Sequence, residues 1–259
     1  MRDYIAIYSD STHLPQKAIQ LAKILSEGFQ KEICFLSFAA NTTEELQFRE
    51  RHQLWMQEVG FTAQSFIRTA GVSTLHESLT EIEAAFFIIE LSSRNSSKEI
   101  QYHLNNCKQL RIPYFFVKPE ITSVQFNKVL VPVGFLTEEK EKGIFASKLA
   151  RFCNSSITLL KAKDYGSKAE RSVNQIQSLF EKLDVQYEIK QAHKDSFKVQ
   201  LEASLRASNG DADLIIITSS REYGLDDIFF GPPERKIIKT SRVPVMVLNP
   251  RPDLYVLCD

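Results

Sequence analysis

Apolar and polar positions along the chain switch repeatedly between two periods. Residues 4–8 form a short apolar run. Ala18, Leu21, Ala22, Leu25 and Phe29 then recur at helical spacing and predict one apolar stripe. Residues 33–38 are again apolar and of strand length. Residues 43–59 predict a helix, with Thr42 or Thr43 placed to cap it. Residues 61–67 alternate like a half-buried strand, and residues 72–84 predict another helix. Residues 85–91 are continuously apolar, as expected of a strand covered on both faces of a parallel sheet.

The series then starts again. Strands are predicted at 129–133, 157–160, 185–189, 214–217 and 243–248. Phe145, Leu149 and Cys153 mark one helix between them, and Val173, Ile176, Phe180 and Leu183 another. Strand–helix alternation with short connections requires parallel strands joined by right-handed crossovers. The expected fold is α/β, two tandem doubly wound domains with a five-stranded parallel sheet each.

Two matched segments point to an internal duplication. One apolar run closes on Ser92-Ser93-Arg94 and another on Ser219-Ser220-Arg221. Arg111-Ile112-Pro113 and Arg242-Val243-Pro244 each open a closing apolar strand, and the first copy is four residues shorter between its two motifs. The expected division is a first domain at 1–119, a linker at 120–126, a second domain at 127–250 and a tail at 251–259. The closing strands, residues 112–117 from Ile112 to Val117 and residues 243–248 from Val243 to Leu248, are expected to pair about an internal pseudo-two-fold axis, since exposed apolar edges are a liability. Leu254, Tyr255, Val256 and Leu257 are expected to add to that pseudo-dimer, and a further homodimer stays open.

Charge changes the picture little. Lysines and arginines number 32, as do acidic residues, and the pI is about 7.0, so the basic footprint of a nucleic-acid binder is absent from the totals. The N-terminal apolar run is too short for a leader or a membrane span, and a cytoplasmic location is expected. Cys34, Cys107, Cys153 and Cys258 lack CxxC spacing, which favours buried or incidental thiols. His13, His52, His76, His103 and His193 have no Cys or His neighbour at metal-ligand spacing, and His52 shares a helical face with Phe48, Trp55 and Val59.

The stretch from Thr218 through Val247, with its Pro244-Val245 strand start, resembles the C-terminal third of a universal stress protein domain. Such domains carry a Gly-x2-Gly-x9-Gly-Ser/Thr loop. In nucleotide-binding members this loop wraps the phosphates of ATP, because glycine lets backbone N–H groups approach and the next helix turns its N-terminus to the anion. Fitted here, the first position is Thr218, the second Arg221, the third Gly231 and the fourth Pro232, which lacks both hydroxyl and N–H. The acidic residue that ends the first strand in binding members is replaced by Gly134. The first copy runs from Ser92-Ser93-Arg94 directly toward a helix and has no glycine there.

The resemblance therefore implies an adenine nucleotide alpha hydrolase-like fold with its ATP signature largely lost. Candidate ligand-facing residues are Gly134, Ser219, Ser220, Arg221, Gly231 and Pro232. Arg221 reads either as an anion-binding side chain or as a surface arginine filling a lost pocket. Ser219 and Ser220 read as ligand contacts or as a strand terminator shared with Ser92 and Ser93. Adjacent Asp226 and Asp227 point apart on a helix and make no catalytic dyad. No G-x-S-x-G elbow, Walker loop or HExxH is present. The expectation is a non-catalytic stress-response protein acting through a protein partner or small ligand, without cofactor, metal, nucleic acid or membrane. The alternatives are an ATP- or AMP-binding switch with altered contacts in the second domain, and a slow nucleotide hydrolase.

Overall fold

The computed structural model describes residues 3–10, 13–69, 71–94, 96–220 and 232–251. The chain divides into two compact units, Met1–Glu120 and Ile121–Asp259.

Unit 1 runs β1 (Tyr4–Tyr8), α1 (Gln16–Phe29), β2 (Glu32–Phe38), α2 (Thr42–Val59), β3 (Gln64–Arg68), α3 (Leu75–Glu81), β4 (Ala84–Glu90), α4 (Ser97–Cys107) and β5 (Tyr114–Val117). Its strands stand in the order β3-β2-β1-β4-β5, and every adjacent pair is parallel. The order reverses between β1 and β4, and ligands of open α/β sheets enter at the carboxyl ends of the strands at such a reversal. The predicted stripe on α1 is the buried one, with Ala18, Leu21, Ala22 and Leu25 fully covered. Each large apolar side chain buried in this way stabilises the fold by about 1.5–3 kcal/mol.

Unit 2 repeats the plan with β6 (Lys128–Val133), α5 (Lys140–Cys153), β7 (Ser156–Lys161), α6 (Lys168–Lys182), β8 (Tyr187–Gln191), α7 (Val199–Ser208), β9 (Leu214–Thr218), α8 (Pro233–Thr240) and β10 (Val245–Leu248). The parallel order is β8-β7-β6-β9-β10, with the reversal between β6 and β9. A Cβ on Gly143 of α5 would come within 2.9 Å of Ile176, so α5 and α6 pack closely only because that position is glycine.

Several sequence expectations are corrected. The cap of α2 is Asn41, whose Oδ1 accepts the Glu44 N–H at 2.9 Å, and the threonines lie inside the helix. Residues 72–84 hold a 3-10 turn (Val72–Thr74) and the short α3, because Ala84 already belongs to β4. The strand expected at 61–67 begins only at Gln64. The closing strands start at Tyr114 and Val245, after Pro113 and Pro244, which have no N–H for a ladder but lend their carbonyls to Phe87 and Ile215. Residues 120–126, expected as a linker, carry buried Ile121, Val124 and Phe126.

Candidate functional site

The carboxyl end of unit 2 opens into a cavity of about 730 Å³ between the loop after β6, the start of α6 and the end of β9. Phe135, Leu136 and Glu138 line it from the first loop, Lys168, Arg171 and Gln175 from α6, and Ser219 and Ser220 from the strand end. Of the six residues expected to face a ligand, the structure brings Ser219 and Ser220 to this wall. Gly134 lies one residue before Phe135 and Pro232 immediately before α8. Arg221 and Gly231 lie outside the described residues, as do Asp226, Asp227, Cys258 and the tail positions 254–257.

The backbone amides at this end are occupied from within. Ser220 N–H donates to Glu234 Oε1, and its hydroxyl lies 3.3 Å from Glu234 Oε2. Glu234 sits in the first turn of α8 and is 2% exposed. Its carboxylate therefore joins a strand-end amide to a helix N-terminus. Gly134 N–H donates to Glu139 Oε2 at 3.0 Å. The same oxygen pairs with Lys142 Nζ at 2.5 Å, and Lys142 also bonds Pro132 O. Glu202 in the first turn of α7 accepts the N–H groups of His193 and Lys194 at 2.8–3.1 Å and is held by Arg206 at 2.7 Å. Burial raises the Glu202 pKa while these hydrogen bonds and Arg206 lower it, and the net direction is down.

The space beside Gly134 is filled from another loop. A Cβ on Gly134 would meet Ser196 Oγ at 3.0 Å and its Cβ at 3.1 Å. Ser196 cannot easily give way, because its N–H bonds Asp164 Oδ1 at 2.9 Å and its hydroxyl bonds Asp164 Oδ2. Ser219 is also engaged, its N–H on Leu248 O at 2.9 Å and its hydroxyl on Asn249 Oδ1 at 2.8 Å. Both hydroxyls singled out from sequence thus close the strand end. Thr218 is buried, and its hydroxyl has no hydrogen-bond partner.

Unit 1 reaches the same state with different residues. Ser92 N–H and its hydroxyl donate to the two oxygens of Glu99 at 2.6 and 2.7 Å, and Glu99 lies in the first turn of α4, capped by Ser96. Glu90 at the end of β4 accepts the Ala18 N–H of α1 at 2.8 Å. It borders a cavity of about 260 Å³ with Tyr8, Asp10, His13 and Lys17. Burial pushes the Glu90 carboxyl up to about 7, against the opposing pull of the α1 amides and Lys17. Ser9, the counterpart of Gly134, turns its hydroxyl inward to His52 Nε2 at 3.1 Å. Ser37 and Ser65 complete a ring of hydroxyls around that imidazole at 3.2 and 2.6 Å. Burial, then Arg51 and Arg49, hold His52 down to about 4, so it is neutral and packed against Phe35.

Among the described residues no cluster of His, Cys, Asp or Glu could hold a metal ion. Among them too, no helix is long and apolar enough to cross a membrane. The carboxylate partners were not foreseen, because a glutamate in a first helical turn reads as ordinary capping.

Residues 125–249 match the model of the Universal stress protein family. No curated protein matches the chain. A universal stress protein from Archaeoglobus fulgidus DSM 4304 superposes with a TM-score of 0.67 at 14% identity, over 97% of this chain and 100% of its own. A functionally unknown protein from Pseudomonas aeruginosa PAO1 gives 0.66 at 14%, over 99% and 95%. The cytoplasmic domain of a prokaryotic cation chloride cotransporter gives 0.60 at 14%, over 99% and 100%. At such identities the solved structures share the fold with this chain.

Proposed function

From the membership of its second half in the universal stress protein family, we propose that the chain is a tandem, non-catalytic stress-response protein whose ancestral phosphate positions are filled by its own glutamates. One observation carries this reading. In each unit, a serine at the strand end directs both its N–H and its hydroxyl to a glutamate in the first turn of the following helix, Ser92 to Glu99 and Ser220 to Glu234. A nucleotide phosphate entering either place would meet a carboxylate instead of free amides, and like charges at contact repel. The broken Gly-x2-Gly-x9-Gly-Ser/Thr pattern and the obstruction of Gly134 by Ser196 agree with it. The protein then acts through a protein partner or a small ligand other than ATP.

The nucleotide-switch reading has the unit 2 cavity in its favour, since Lys168 and Arg171 supply side-chain cations beside Ser219 and Ser220. One experiment separates the two. Small molecules released on denaturing freshly purified protein are identified by mass spectrometry, and thermal unfolding is followed with and without Mg-ATP. An empty protein with an unchanged melting temperature is expected. Co-purified ATP or AMP, or a melt raised by several degrees, would overturn the proposal.

A further inference from the structure

The loops that follow β7 and β8 leave neighbouring strands at one end of the sheet, and they are tied together. Lys163 N–H donates to Lys194 O at 2.8 Å, and Asp164 holds the Ser196 N–H and hydroxyl. Lys163, Lys168, Arg171, Lys194 and Lys198 are exposed on this platform, and none has a carboxylate partner among the described residues. Of the nearby acids, Glu170 pairs with Lys161 at 2.9 Å, Asp164 holds Ser196, and Asp195 Oδ1 accepts the Lys198 backbone N–H at 3.2 Å. Two aromatic rings stand among the cations. Tyr165 is fully exposed, held at a turn by Gly166 with φ +83°, and Phe197 is 80% exposed, edge-on to Phe135 at 5.5 Å.

The fold does not require this arrangement. In unit 1 the corresponding loops, residues 39–41 and 69–74, carry no lysine or arginine, and the first turn of α2 has Glu44 and Glu45. That is the favourable charge at a helix N-terminus, whereas the start of α6 sets Lys168 and Arg171 around a single acid, Glu170, and the net positive charge opposes the helix dipole. Residues that break a local rule where a sister copy obeys it mark a site under another demand.

We propose that this platform binds single-stranded nucleic acid. Unpaired cations spread over two loops suit an extended polyanion better than a single phosphate, and exposed rings suit unstacked bases. A duplex would hide its base faces. The neutrality of the whole chain, which argued against such a partner, averages over a unit that concentrates free positive charge on one face. Lys168 and Arg171 also line the cavity at the β6–β9 end, whereas Tyr165 and Phe197 do not, so the aromatic variant tests the platform separately from nucleotide binding.

The test uses the full chain and a fluorescein-labelled oligouridylate of about 12 nucleotides, read by anisotropy. Five phosphate contacts predict that affinity falls roughly a hundredfold between about 50 and 200 mM salt. Tyr165→Ala with Phe197→Ala, and separately Lys168→Ala with Arg171→Ala, should each weaken binding about tenfold or more without shifting the melt, since these side chains are exposed. Absence of binding at low salt would overturn the proposal. So would equal binding of duplex RNA or of vesicles rich in anionic lipid, or full retention of affinity in the aromatic double variant.

Discussion

Glu234→Gln keeps the shape of the side chain that closes the β9 end and removes its charge. The Ser220 amide and hydroxyl both face that carboxylate. A hydrogen bond to a charged group contributes roughly 1.5–3 kcal/mol and a neutral one about 0.5–1.5. Charge at the first turn of α8 adds about 0.3–1 kcal/mol. The substitution should therefore cost unit 2 about 1–2 kcal/mol. For a unit of this size, each kcal/mol moves the melting temperature by roughly 3–5 °C. A drop near 5 °C is expected by scanning calorimetry, which is needed because the lone tryptophan, Trp55, lies in unit 1. Inorganic phosphate should restore part of the stability lost in Glu234→Ala, which vacates the position, and leave the parent unchanged, since the parent's carboxylate already fills it. A variant that melts like the parent, or phosphate that stabilises both alike, would refute the idea that Glu234 stands in for a bound anion.

Glu99→Gln should do the same in unit 1 at similar cost, read from Trp55 fluorescence. Gly134→Asp, which restores the acidic position, should destabilise unit 2 by about 1–3 kcal/mol through overpacking against Ser196, with no gain in ATP affinity by calorimetric titration. Unit 1 should lose stability as pH falls from about 6.5 toward 4. His52 and His103 are both held down to about 4 by burial, so the unfolded chain takes up their protons first, at up to roughly 3 kcal/mol each. Glu90, pushed up to about 7, acts in the opposite sense and stabilises as pH falls from about 7 to 4.5, so two groups outweigh one. Denaturant midpoints that rise on acidification would contradict this balance.

The fold was legible wherever burial alone decided the pattern. Apolar runs such as Ile88-Ile89 and Leu214-Ile215-Ile216 became central strands, and the α1 stripe became its buried face. Boundaries failed where one residue's chemistry overrode periodicity, as with Asn41 capping ahead of the threonines and Pro113 and Pro244 delaying the closing strands. The broken signature at Thr218 and Pro232 could be read directly. Its replacement could not, because Ser92 and Glu99 stand seven residues apart, while Ser220 and Glu234 stand fourteen apart across a different loop. No single spacing predicts both pairs. The cations of the platform were hidden for a related reason: Lys161 and Lys163 look alike in sequence, and among the described residues only the first has a carboxylate partner.

These two outcomes have a common physical cause. A doubly wound sheet leaves amides unpaired where strands end and helices begin, and a buried amide without a partner costs about 1–3 kcal/mol. A domain that gives up a bound anion must satisfy those amides otherwise. Glu90, Glu99, Glu139, Glu202 and Glu234 do so, all from the chain itself. Once the amides are taken, any anion the protein still recognises has to be met by side chains. In unit 2, Lys163, Lys194 and Lys198 on the loops and Lys168 and Arg171 at the start of α6 have no carboxylate partner among the described residues and stand beside the closed strand ends. In unit 1 no such cations replace the lost amides on the matching loops. The two copies close the ends of their strands in the same way and differ in what lies next to them, so variants of the unit 2 platform should alter anion binding while leaving the glutamate-closed ends of both copies intact.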